Sequence, residues 1–281
     1  MGASQVVTDA LREWIVAQAQ AGHSAESVLQ AMRQSGWRDD VALEAMETTM
    51  QAHVATLPGR ATVGDPPGPM LRDSRHVVRA HDRDVHVLVR LEQPCLAVFA
   101  QVLSAEECAE LRALAQGRLS RSETVEVQSG GSEVNAARTS EGMFFERGET
   151  ELIQRIEARL AALVDWPVDH GEGLQVLRYR PGAEYRPHFD YFDPAQAGSS
   201  AILRRGGQRV GTFVLYLNTP EEGGATVFPD AGVTVSPIEG HAVFFGYPRP
   251  DPATGTLHGG APVVQGDKWV ATKWLRQQRF D

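Results

Sequence analysis

The sequence predicts an α+β protein that is mainly β: a double-stranded β-helix, the jelly-roll barrel of cupin-like proteins, with supporting helices and a small N-terminal helical unit. Three observations predict it. From about residue 172 onward the chain is a run of short β-patterned segments, GLQVLRY, RVGTFVLYLN, ATVFP, VTVSP, HAVFFGY and KWVATKWLR, parted by turns rich in Gly and Pro. Two amphipathic helical segments precede that run, so strands and helices are segregated rather than alternating. Residues 8–50 carry helical periodicity of their own, set apart by a Pro/Gly-rich stretch.

Taken in order, residues 1–56 read as a small helical bundle. Leu11, Trp14 and Ile15 start one apolar stripe; Ser24 is a candidate N-cap for a helix carrying Val28, Leu29 and Met32; Asp39 or Asp40 can cap a third with Val41, Leu43, Ala45 and Met46. Three helices with a Gly36-Trp37 turn resemble a ubiquitin-associated-type unit, which implies a protein partner; a generic helical appendage is the alternative. Residues 57–74, beginning LPGRATVGDPPGPM, read as a linker, and 75–281 as the main domain. Within that domain VHVLVRLEQPCLAVF suggests entering strands, Ser104-Ala-Glu-Glu107 is a capping box ahead of CAELRALAQGRL, and ELIQRIEARLAALV is a second helix. The long, small-residue-rich stretch 193–207 reads as a mobile flap over a site, with plain surface disorder as the alternative.

Composition narrows the function. At 281 residues with 42% hydrophobic and 22% charged residues, the chain has an ordinary globular balance. A formal charge of −9 and no basic run argue against nucleic acid. No apolar run approaches the ~20 residues of a membrane span. The N-terminus shows no secretory pattern, and two cysteines, Cys95 and Cys108, are too few for a disulfide framework, so a reducing cytoplasm is expected. The chain has only two lysines, Lys268 and Lys273, among otherwise arginine cations. A lysine at a candidate anchor position is therefore informative.

The chemistry is concentrated in YRPGAEYRPHFD. His188 and Asp190, two apart, would share one face of a strand. With His258 they make a two-His-one-carboxylate face that suits Fe(II) and leaves positions open. Lys268, ten residues beyond His258, could anchor an acidic cosubstrate. Trp274 shares its strand parity and would face the same interior, whereas Lys273 is read as an ordinary surface lysine.

Seven blocks then resemble, in order across about residues 92–278, the prolyl 4-hydroxylase family of Fe(II)/2-oxoglutarate dioxygenases: LSAEECAELRAL, ARTSEGMFF, GEGLQVLRYRPGAEYRPHFDYFDP, GGQRVGTFVLYLN, EEGGATVFP, GVTVSPIEGHAVFF and LHGGAPVVQGDKWVATKWL. The resemblance implies His188, Asp190 and His258 as iron ligands and Lys268 as the cation for the distal carboxylate of 2-oxoglutarate. It implies Tyr179 and Thr226 as hydroxyl donors to that carboxylate and Trp274 as an aromatic wall beside the metal. Arg138, Ser140, Glu172, Tyr185 and Arg209 match positions lining a peptide groove. Position 276 is Arg where related peptide hydroxylases can carry His, which leaves the substrate open. The implied cofactors are Fe(II), with 2-oxoglutarate and O2 as cosubstrates, and ascorbate as a candidate reductant. The expected reaction is hydroxylation of peptidyl proline at C4, with succinate and CO2 as coproducts. The alternatives are hydroxylation of a free amino acid or other small molecule, and a catalytically silent barrel acting as a binding module.

Overall fold

A computed structural model describes residues 5, 7–20, 25–56, 68–121, 124–125, 132–133, 139–196 and 198–281. The chain divides into two compact units, Met1–Thr62 and Val63–Asp281.

The first unit holds α1 (Asp9–Gln20), α2 (Ala25–Gln34) and α3 (Asp39–Thr56). Its core is Ile15, Met32, Ala42 and Ala45. Two apolar residues read into the buried stripes turn outward: Trp14 is 36% and Leu43 53% exposed. Side chains one residue apart on a helix diverge by about 100°. The interior is claimed by Ile15 and by the small pair Ala42 and Ala45, which let helices approach closely and leave Trp14 and Leu43 outside. The α2–α3 corner is turned by Gly36, with φ +86, and braced by Arg33, which donates to both oxygens of Asp39 at 2.8 and 3.1 Å. The Ser24 cap lies outside the described residues.

The second unit begins with β1 (Val77–Ala80), β2 (Arg83–Leu91) and β3 (Cys95–Ala100), then α4 (Ala105–Gln116). The short β4 (Ser120–Arg121), β5 (Thr124–Val125) and β6 (Ser132–Glu133) lead to β7 (Glu141–Phe145) and α5 (Glu151–Leu163). There follow β8 (Leu174–Tyr179), β9 (Tyr185–His188), the one-turn α6 (Ser199–Leu203), β10 (Arg209–Tyr216), β11 (Glu222–Gly223), β12 (Thr226–Phe228), β13 (Val233–Val235), β14 (Ala242–Gly246), β15 (His258–Gly260), β16 (Val263–Gln265) and β17 (Lys268–Arg276). Upstream, residues 68–71 already lie against this unit: the Met70 amide donates to Val164 O at 3.0 Å, and Leu71 packs on the core.

Strand order shows the architecture. One sheet runs β1-β2-β3-β14-β10-β17-β8-β7-β4 and another β13-β12-β15-β9. From β8 onward the chain passes back and forth between these two antiparallel sheets, which is the double-stranded β-helix; the exceptions are the β12–β13 hairpin within one of them and the small separate β11–β16 pair. The period-2 alternation of each long strand then feeds two cores. On β10, Phe213 and Leu215 join the layer between the large sheet and α4/α5, while Val214 and Tyr216 face the barrel. On β17 every residue is buried. Such a strand reads as a continuous apolar run because both of its faces are covered.

Helix α4 starts where the capping box places it: Ser104 Oγ accepts from the Glu107 amide at 3.2 Å and Glu107 Oε2 from the Ser104 amide at 2.9 Å. Glu107 serves a second purpose. On α5, the fully buried Arg159 donates to Glu107 at 2.9 and 3.0 Å and to both oxygens of Asp82 at 2.9 and 2.8 Å. One guanidinium thus ties α5 to α4 and to the β1–β2 turn.

Lys273 is not a surface residue. It is 2% exposed on the helix side of β17, where its ammonium pairs with Glu157 of α5 and donates to Glu172 O. Strand parity put it opposite Lys268, and the opposite face is covered by helix rather than water. The 193–207 stretch, expected to be a flap, carries α6, with Ser199 Oγ donating to Asp193 O at 2.6 Å. Its stem is closed on both polar atoms of Phe192: the Gln208 amide accepts from Phe192 N at 2.8 Å and donates to Phe192 O at 2.7 Å. Among the described residues no helix is long and apolar enough to cross a membrane.

Candidate functional site

Strands β9 and β15 pair antiparallel with His188 opposite His258, and the two imidazoles face each other with ring centroids 4.4 Å apart. This close pairing depends on Gly259, because a Cβ there would lie 2.8 Å from Tyr185 O. Each histidine spends Nδ1 on a carbonyl two residues earlier: His188 on Arg186 O at 2.9 Å, His258 on Thr256 O at 3.0 Å. A nitrogen facing a carbonyl carries the proton, so each Nε2 keeps its lone pair. Both Nε2 atoms point at Asp190, 3.5 and 3.6 Å from its two oxygens. The ligand atoms of His188, Asp190 and His258 all lie within 4.8 Å of one another.

The parity argument for His188 and Asp190 holds only halfway. Strand β9 ends at His188, and Asp190 sits in the bend just after it. What aims the carboxylate is a hydroxyl pair the sequence reading missed: Thr212 Oγ1 donates to Asp190 Oδ2 at 2.7 Å and meets the Tyr247 hydroxyl at 2.7 Å. Burial opposes ionisation of Asp190, but His258, His188 and Arg209 outweigh it and hold the carboxyl well below its usual range. Burial pushes His258 down to about 4 against the pull of Asp190, so its imidazole is neutral near pH 7. Two imidazole nitrogens and one carboxylate converging on one face are the donor set that a divalent first-row metal takes.

The same cavity, about 460 Å³ with its open mouth, is lined by His188, Asp190, His258, Tyr179, Tyr185, Thr226, Lys268 and Trp274. Lys268 opens β17 opposite Tyr179 of β8 and is 4% exposed. Its ammonium stands 5.5 Å from the Tyr179 ring centre and 6.0 Å from that of Tyr216. Among the described residues it makes no ion pair, and burial alone lowers its ionisation to about 8. A buried cation without a counterion is costly. An anionic ligand is the partner such a site fits. Thr226 Oγ1 accepts from the Tyr216 hydroxyl at 2.9 Å, which leaves its own proton to donate. Tyr216 was another omission, although it shares the barrel-side parity of Val214.

The five positions matched to a peptide groove separate. Arg138 lies outside the described residues. Ser140 is fully buried just before β7. Tyr185 stacks on His188 at 3.7 Å and lines the cavity. Glu172 and Arg209 form a bidentate pair at 2.7 and 2.9 Å, with the Arg209 guanidinium 4.0 Å over the Trp274 ring and 3.4 Å from Asp190 O. The pair borders the metal-side residues through Trp274, whose indole N–H is buried with no partner among the described residues.

Residues 174–276 match the family model described as the 2OG-Fe(II) oxygenase superfamily. "Probable prolyl 4-hydroxylase 3" of Arabidopsis thaliana is 40% identical over 204 residues, covering 65% of this chain and 69% of that protein. "Prolyl 4-hydroxylase 1" of the same plant is 39% identical over 224 residues, covering 71% and 77%. A solved viral collagen prolyl hydroxylase from Paramecium Bursaria Chlorella virus-1, in complex with 2OG, is 30% identical with a TM-score of 0.49, covering 64% of this chain and 95% of that one. The matched family segment contains the two histidines, the carboxylate and the unpaired lysine, and the likeness extends over more than two thirds of these curated relatives. The chain therefore belongs to the prolyl 4-hydroxylase family of Fe(II)- and 2-oxoglutarate-dependent dioxygenases.

Proposed function

We propose that this enzyme hydroxylates proline in a peptide or protein, at C4. The observation that carries the reading is one cavity holding both a three-ligand face and a buried, unpaired lysine. Relatives named as prolyl 4-hydroxylases support the choice of proline. Iron, once held by His188, Asp190 and His258, supplies with 2-oxoglutarate and O2 the oxidising power for C–H hydroxylation, with succinate and CO2 as coproducts.

The chain's own residues bind, orient and keep water out. The two Nδ1 contacts fix both imidazoles in the ligating tautomer before metal arrives. Thr212 holds the Asp190 carboxylate, so little reorganisation is needed. Lys268 pairs with the distal carboxylate of the cosubstrate, Thr226 donates a hydroxyl to it and Tyr179 closes its side. Leu177, Val214 and Val270 make the floor apolar, which excludes water and strengthens these charge contacts. Trp274 and Tyr185 flank the metal face, where a prolyl ring can rest against aromatic walls. Ascorbate as reductant, a cytoplasmic location consistent with two free thiols, and a protein partner for the N-terminal unit belong to the same proposal.

The test is succinate release by the iron-loaded enzyme against a panel of proline-containing peptides and free amino acids, with products mapped by mass spectrometry. A gain of one oxygen on peptidyl proline, lost in His188→Ala, is the expected result. Oxygen found only on a free amino acid would replace the peptide reading, and no turnover with any panel member in fully metallated protein would sink it.

A further inference from the structure

Arg276 ends β17 and is 2% exposed, between the Phe192 and Phe280 rings, yet among the described residues its Nε and Nη1 make no hydrogen bond. Stability alone does not explain burying such a cation. Its one well-used nitrogen, Nη2, donates to Ile202 O at 3.3 Å and Arg205 O at 2.8 Å. Ile202 lies in the last turn of α6 and Arg205 just past its end, so the guanidinium joins Arg205 N, 3.2 Å from Ile202 O, in closing that end. On its other edge, Nε stands 3.3 Å from Glu172 Oε1, the oxygen that also accepts from Arg209. Arg209 in turn covers Trp274 and reaches Asp190 O. The segment's other ties run to the C-terminal tail, through Gln278 N to Gly206 O and through Arg205 to Asp281 O and the Phe280 ring. Besides the Gln208 closure of the stem on Phe192, Arg276 is a tie from α6 itself that leads toward the site.

We propose that Arg276 is a positioning residue: it latches α6 to the Glu172–Arg209 pair, and by sharing Glu172 it couples the docking of α6 to the guanidinium beside Asp190, so that peptide is held only when α6 is docked. The coupling rests on the reading of the site as a peptide hydroxylase; the latch does not. Removing Arg276 strands no charge, because Glu172 keeps its bidentate partner Arg209. A neutral variant therefore folds.

The experiment compares the full-length enzyme with Arg276→Gln and Arg276→Lys in two measurements. In limited trypsin digestion, cleavage after the exposed Arg204 and Arg205 should speed by about tenfold or more in Arg276→Gln and less in Arg276→Lys. In steady-state kinetics on the peptide the wild type hydroxylates, KM for peptide should rise about tenfold in Arg276→Gln. The 2-oxoglutarate KM and peptide-free succinate release should stay within about twofold, and Lys should restore part of the loss. Unchanged cleavage would overturn the latch. Faster cleavage with unchanged peptide KM, or equal losses for peptide and 2-oxoglutarate, would overturn the coupling. A wild type that hydroxylates no peptide would sink the functional reading and the coupling with it, while the trypsin comparison still decides the latch.

Discussion

The chain's two lysines lie five residues apart on β17, on opposite faces, and both are buried, but they have opposite company. Lys273, on the helix side, meets the Glu157 carboxylate and the Glu172 carbonyl. Lys268, on the barrel side, meets two tyrosine rings and, among the described residues, no carboxylate. Burial lowers the ionisation of both; at Lys273 Glu157 opposes it, at Lys268 nothing does. The helix layer is completed by the protein's own charges, whereas the barrel is left to be completed by a ligand. Burial of a cation says little by itself. Whether the protein supplies the counterion separates a structural charge from a functional one.

Breaking the helix-side pair should have the largest effect. Lys273→Ala strands a buried Glu157 and should lower unfolding free energy by about 3–5 kcal/mol, read by urea denaturation. Lys273→Met combined with Glu157→Gln should recover most of that loss. A single variant costing under about 1 kcal/mol would show that the pair is no staple.

On the barrel side the same kind of change should act on binding instead. Lys268→Met should raise the 2-oxoglutarate KM about 100-fold, near 2.7 kcal/mol, with iron content unchanged. Without cosubstrate it should be at least as stable as wild type at pH 7. The sign follows from the shift: Lys268 ionises at about 8 folded against about 10.5 for a lysine in water. The unfolded chain binds the extra proton between those values, so the penalty is full below about 8 and wild-type stability recovers as pH rises toward 10.5. Parallel pH–stability curves for the two proteins over that window would contradict an uncompensated lysine.

A smaller effect should separate the two faces at low pH. The Arg159 hydrogen bond lowers Asp82 from 3.8 to about 2, so its stabilisation is present above about 3.8 and is lost as pH falls toward 2. Because Asp82 is largely open to solvent and its pair is screened, the stability difference between wild type and Asp82→Asn should therefore shrink by about 1 kcal/mol or less across that range. A constant difference would mean that Arg159 does not depend on Asp82.

Much of this was legible in the sequence, because strand parity and capping are local rules. The capping box at Ser104, the helix at 151–163 and the β-rich segments from 174 onward follow from them. Strand β15 was invisible: His-Gly-Gly has no β-propensity, and it pairs because Gly259 admits the Tyr185 carbonyl at close range. Thr212, Tyr216 and Tyr247 went unread because a hydroxyl on an apolar strand looks like packing until its partner is known. Lys273 was misread because parity says which face a residue is on, not what covers that face. Arg159 escaped because its two carboxylates come from 77 and 52 residues away.

Gln208 closes the stem of the 193–207 excursion on both the amide and the carbonyl of Phe192, two residues beyond Asp190. Chain inserted or removed above that stem leaves the carboxylate where it is. Such an arrangement lets the excursion vary in length and sequence without rebuilding the iron-binding face.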